Sequence, residues 1–176
     1  VAAVNHMAKL VKEKSKDRLN IRVYPSGALG SERDNIEQIR LGALDMMRIH
    51  VSPLNSVVPE SLTVSLPFLF RSTEHMRKVL DGPVGDEVLA AMESQGMIGL
   101  VFYDSGSRSI YSAKKPIKTL ADMRGLKIRV PQSDLFVDMV KAMGAIPTAT
   151  ALGEVYTALK TGIVDAAENN WPSYES

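Results

Sequence analysis

Short apolar runs with a two-residue period alternate along this chain with longer runs of helical period, and the links between them are short. Strand and helix taking turns in this way predict parallel sheet covered by helices on both faces. A helix to about residue 17 leads to alternation at Ile21 and Val23, which YPSGALG closes with turn residues. A second helix starts at Ser31, with Asp34 as its capping-box partner. Ile36, Ile39, Ala43 and Leu44 fall on one side of it, leaving Glu32, Arg33, Glu37 and Arg40 to solvent. MMRIHVSP reads as a short strand ending at Pro53, and VVPESLTVSLPFLF as a looser stretch. Helices are predicted over 72–80 and 83–95, the second with Pro83 in its first turn and Gly96 past its end. MIGLVFY is apolar throughout, as a strand covered on both faces should be. Beyond the DSGSRS turn come a short helix between Thr119 and Gly125, the strand LKIRV, and a helix from Ser133 to Met143 capped by Gly144. IPTAT, a helix over 153–161 ending at Gly162, and the strand IVDAA complete the order.

Bulk properties exclude several classes. The 176 residues suit one domain or two small lobes, and 45% hydrophobic with 23% charged residues is a globular composition. A net charge of +1 without a basic run argues against a nucleic-acid partner. No apolar run approaches the ~20 residues that cross a bilayer. The absence of cysteine removes disulfides, thiolate metal sites and cysteine nucleophiles. The first residues are already helical in pattern with no cap ahead of them, and WPSYES follows directly on a strand, so a longer protein is expected.

The motifs for catalysis are missing. None of His6, His50 and His75 has a second ligand at metal spacing, and there is no nucleophile elbow, Walker loop or dinucleotide fingerprint. Carboxylates such as Asp165 and Glu168 occur at the frequency of any chain with this many acids. The polar residues at strand ends are more informative, because ligands of open α/β sheets gather there. Arg108 follows MIGLVFY. Arg129 ends the alternation of LKIRV, with Gln132 just beyond. Asn169 and Asn170 follow IVDAA, and Arg48 and His50 share the polar face of their strand. Guanidinium forks suit a carboxylate and amides suit hydroxyls. Each residue alone has an ordinary reading: Arg129 as the solvated side of an amphipathic strand, Arg108 as a loop residue, the asparagines as turn formers.

Three stretches carry a family resemblance: YPSGALGSERDNIEQIRLGALDM, GSRSIYSAKKPIKTLADMRGLKIRVPQS and GEVYTALKTGIVDAAENNWPS. In this order they resemble the extracytoplasmic solute-binding subunits of tripartite ATP-independent periplasmic (TRAP) transporters, over nearly the whole chain. The resemblance implies an α/β, two-lobed periplasmic-binding-protein-like fold of type II character. That fold would be incomplete in this chain, which lacks the family's first strand and everything after the start of the helix spanning both lobes. Residues 1–104 would form most of the first lobe and residues 105–176 part of the second. The resemblance further implies that Arg129 makes a two-point salt bridge to a substrate carboxylate and that Arg108 adds a second contact. Asn169, His50 and Gln132 map to other ligand positions, and Asn170, Arg48 and Glu32 complete the expected set. Leu152 stands where some members place an aromatic cover, which points to a smaller ligand than a sialic acid.

ENNWPSYES, DSGSRSIY and SDLF are most similar to members that bind sugar acids such as glucuronate and galacturonate. C4-dicarboxylates and small keto or hydroxy acids share the arginine anchor and stay open. Transport, a periplasmic location, transporter membrane subunits as partners and no cofactor are the corresponding expectations. Two other classes remain: an α/β enzyme acting on small acids with His50 as its acid or base, and the effector domain of a regulator.

Overall fold

The computed structural model describes residues 2–175. Its sheet has four strands: β1 (Arg108–Ser112), β2 (Lys127–Val130), β3 (Ile146–Ala149) and β4 (Ala166–Asn170), in the order β1-β4-β2-β3. Strands β2, β3 and β4 run parallel, whereas β1 pairs antiparallel with β4. The sheet is therefore mixed, not parallel throughout, because the expected turn at 104–109 feeds directly into a strand that sequence pattern did not reveal. The last strand also begins later than IVDAA suggests and continues through Asn169 and Asn170. Asp165 holds the turn before it, accepting the Lys127 backbone N–H at 2.9 Å and pairing with Lys114.

Helices were more legible, since their caps are local. We number them α1 (Ala2–Lys14), α2 (Glu32–Arg40), α3 (Ser61–Ser65), α4 (Thr73–Leu80), α5 (Pro83–Ala91), α6 (Leu120–Met123), α7 (Asp134–Ala142), α8 (Val155–Lys160) and α9 (Trp171–Tyr174). Ser31 and Asp34 form the predicted capping box of α2, and Thr119 and Asp122 form another at α6. α1 stops three residues short of the expected end, and α2 ends before Ala43, which is exposed. Gly85 lets α5 lie against the end of α4. A Cβ there would come within 1.8 Å of the Leu80 carbonyl oxygen.

Three predicted strands do not form. Residues 19–25, 46–50 and 98–103 form no regular secondary structure, and no backbone ladder joins them among the described residues. Two-residue periodicity identifies an extended amphipathic chain; a strand also needs a neighbour about 4.7–4.9 Å away. MIGLVFY is not covered on both faces either, with Ile98 and Leu100 exposed. Pro53 lies inside a 3₁₀ turn (Ser52–Ser56) rather than at a strand end.

Two separate cores follow. One gathers Ile36, Leu54, Val58 and Met97; the other gathers Met123, Leu126, Ile128, Val130, Phe136, Val140, Ala145 and Ala166 between the sheet and α7. Besides the local turn bond from the Gly106 N–H to Asp104 Oδ1 at 2.9 Å, two side-chain hydrogen bonds connect the halves across residues 104 and 105 among the described residues. Arg33 Nη2 donates to the Gln132 carbonyl at 3.1 Å, and Asn55 Nδ2 donates to Ser133 Oγ at 3.4 Å.

In the full-length protein, Gly85→Ala is expected to lower unfolding stability by about 2 kcal/mol or more, since backbone must move to admit the methyl group. Urea denaturation of both proteins measures this.

Candidate ligand-binding cleft

The strand ends build one polar rim. The C-terminal ends of β2 and β4 and the N-terminal end of β1 lie at the same edge of the sheet, because β1 runs antiparallel. Register then sorts side chains between faces. Arg108 lies opposite Asn170 and Ile110 opposite Glu168, so Arg108, Glu168 and Asn170 share a face. Arg129 pairs with Ala167 and Thr148, which puts it with Asn169 and Tyr111 on the other.

Arg129 is not solvent decoration. It is 2% exposed, while Lys127 on the same strand face stays in solvent. Its Nε donates to the Thr150 carbonyl at 2.9 Å, and Nη2 reaches the same oxygen. Burial lowers its pKa, and Glu168 acts in the opposite direction. It remains a guanidinium at any physiological pH.

Arg108 is the first residue of β1, not a loop residue. Its Nε and Nη2 grip the two Glu168 oxygens at 2.6 and 2.8 Å, and its guanidinium lies over the Phe136 ring. Glu168 is therefore a fixed counter-charge, a role its sequence position did not disclose.

The amides are buried, as the last residues of a strand and not as turn formers. Asn169 Oδ1 accepts the Asn170 N–H at 2.8 Å. Asn170 Oδ1 caps α9 by accepting from Ser173 N at 3.1 Å. Gln132 is half-buried beside the N-cap of α7.

From the other half of the chain, His50 faces these groups. Its backbone N–H donates to Glu32 Oε1 at 3.0 Å, so Glu32 is half-buried and tied down rather than left to solvent. Burial lowers the His50 pKa from 6.5 to about 4, and Arg108, Arg48 and Arg129 push the same way. Arg48 itself is exposed and stacks over the Tyr103 ring.

A cleft of about 270 Å³ opens at this rim, lined by His50, Arg108 and Asn170 together with Phe136, Phe70 and Tyr103 among others, whereas Arg129, Asn169, Gln132, Arg48 and Glu32 lie outside its lining. That is just below the roughly 300–1,000 Å³ usual for small-molecule sites. A more open hollow of about 400 Å³ beside Ser109, Lys118 and Leu120 contains none of the eight expected site residues. Among the described residues no group of carboxylates and histidines has metal-binding geometry, and no helix is long and apolar enough to cross a membrane.

The pattern of bacterial extracellular solute-binding proteins, family 7, matches residues 1–176. This chain belongs to that family. Solved members superpose closely. A TRAP periplasmic solute-binding protein from Bradyrhizobium sp. BTAi1, in complex with α/β-D-galacturonate, is 64% identical with a TM-score of 0.95, covering 100% of this chain and 59% of its own. One from Xanthobacter autotrophicus Py2 with bound β-D-galacturonate is 52% identical, also at 0.95, covering 99% and 58%. One from Chromohalobacter salexigens with bound D-glucuronate is 43% identical, again at 0.95, with the same coverage. The chain spans about half the length of the curated relatives it matches. Within family 7 the fold is that of the TRAP periplasmic binding proteins, of which this chain holds only part.

A histidine whose folded pKa lies below 6.5 is held neutral in the native state, so the unfolded chain binds its proton first. Its contribution is complete above pH 6.5 and is lost as pH falls from 6.5 towards 4. The loss should amount to roughly 1–3 kcal/mol. Urea unfolding of full-length protein between pH 7 and pH 4.5 should show this decline, and His50→Asn should flatten it.

Proposed function

We propose that this chain forms the ligand-capturing part of a TRAP transporter's extracytoplasmic solute-binding subunit, working in the periplasm and taking a hexuronate such as D-galacturonate or D-glucuronate. The observation that carries this reading is Arg129. A guanidinium 2% exposed bonds to a backbone carbonyl and, among the described residues, forms no ion pair. Such a charge is costly to bury and is balanced when a ligand carboxylate docks on its fork.

Residues up to 104 would supply one lobe and residues from 105 the other, with His50 and Glu32 facing Arg129, Arg108, Asn169 and Gln132. Contacts from both sides would favour the closed state only to the extent that the ligand binds that state more tightly. The galacturonate and glucuronate held by the three solved relatives support the ligand class. The buried amides suit a polyhydroxylated acid. Delivery would then be to the membrane subunits of the transporter.

An enzymatic role is less well supported. A general base works best with a pKa near the operating pH, whereas His50 lies near 4.

Calorimetry on the full-length protein should show D-galacturonate or D-glucuronate binding at micromolar Kd or tighter, and heat from neither would overturn the ligand. Arg129→Lys should weaken binding at least about 100-fold, because an ammonium cannot make the two-point contact. The thermal midpoint of the free variant should stay within about 2 °C of wild type, a shift worth about 1 kcal/mol or less. Near-native affinity would remove Arg129 from the anchor role.

A further inference from the structure

Asp104 ends the first half of the chain, and both of its oxygens are taken. Oδ2 accepts from Arg77 Nη2 and Oδ1 from the Gly106 N–H, each at 2.9 Å. The second bond closes an Asx turn, in which the carboxylate stands in for a backbone carbonyl. These donors, the Gly106 N–H foremost, hold the carboxyl below the usual carboxylate range. The residue before it is held as well, with the Arg48 guanidinium 5.2 Å from the Tyr103 ring centroid. Two arginines of the first half therefore grip the outgoing chain at 103 and 104. Beyond them little packs against it. Gly106 has a φ of 87°, a conformation suited to glycine, and a Cβ there would meet nothing within 4 Å. Arg108 opens β1 two residues later and lines the cleft, as Arg77 does from α4.

We propose that Asp104 is a positioning residue for ligand capture: by bonding Arg77 with one oxygen and the Gly106 N–H with the other, it ties α4 to the turn that launches β1, and so fixes how Arg108 is presented to the first half. The tie acts on the direction of the backbone, not on the ligand. A hinge is a few loop residues that absorb changes of φ and ψ. Ser105, Gly106 and Ser107 are those residues here, and Asp104 limits their range. Without the tie the free protein samples more orientations of β1, and only a fraction of them sets Arg108 against His50 as a ligand needs. Apparent affinity falls by that fraction, through slower association and not through faster release. The Arg77–Asp104 pair is partly solvated, with side chains 63% and 25% exposed, so its worth lies in the geometry it sets more than in stability. This assignment rests on the capture reading above and adds the element that aims one of its arginines.

The first test needs no ligand. Spin labels on cysteines introduced by Glu87→Cys in α5 and Asp138→Cys in α7, both exposed helix positions, report the distance between the halves of the full-length protein by pulsed electron paramagnetic resonance. Asp104→Ala should broaden the distance distribution relative to wild type. Arg77→Met cuts the same tie from its exposed end and should broaden it too, and it stands in if Asp104→Ala does not fold by circular dichroism. In stopped-flow mixing with D-galacturonate, Asp104→Ala should associate at least about fivefold more slowly while releasing within about twofold of the wild-type rate. Asp104→Asn, which keeps an oxygen for the Gly106 N–H, should recover part of the lost association rate. An unbroadened distribution in every folded variant overturns the proposal. So does an affinity loss carried by faster release, which marks a ligand contact instead. If neither galacturonate nor glucuronate binds wild type, the hexuronate reading falls, while the distance distributions still decide the role of Asp104.

Discussion

The antiparallel pairing of β1 with β4 decides where the charges of the cleft end up. Had β1 run parallel to its neighbours, Arg108 would stand at the opposite edge of the sheet from Asn170. Instead the two lie directly across from one another, and Glu168 sits one diagonal step away on the same face. Their bidentate contact forms in a largely water-excluded setting, where losing either partner costs about 3–5 kcal/mol. Arg129 is fixed by β2 on the alternate face, close enough to feel both members of that pair.

The part of the fold legible in the sequence was the part written locally. Ser31 with Asp34 and Thr119 with Asp122 are capping boxes whose partners lie three residues apart, and Pro83 opens α5 for an equally local reason. Gly96, Gly125, Gly144 and Gly162 all adopt positive φ after helical segments, as their placement suggested. Ladders are different. Ile21, Val23 and MIGLVFY carry the right periodicity, but pairing depends on chain far away in sequence, and no sequence window contains it. β1 escaped notice for the converse reason: RSIYS is short and opens with turn-forming neighbours, so only its contact with β4 makes it a strand.

The candidate site divides along the same line. Arg129 could be singled out because it ends an amphipathic run whose other polar residue, Lys127, has no such position. Its 2% exposure against an exposed Lys127 separates two residues that alternation treats alike. Glu168 could not be singled out, since sixty residues separate it from Arg108 and one more acid in a chain of average composition carries no signal. Arg48, singled out for its place beside His50, stacks its guanidinium on Tyr103 and remains exposed.

The sparse connection between the two cores has a consequence for how much work a ligand must do. Apart from the Gly106–Asp104 turn bond at the boundary itself, Arg33 to the Gln132 carbonyl and Asn55 to Ser133 are the side-chain bonds that cross between the halves among the described residues. Both land on the start of α7, beside the cleft, and each is worth on the order of 1 kcal/mol. Among the described residues, hydrogen bonding ties the two cores only lightly, so a ligand touching both would add contacts where the chain itself supplies few.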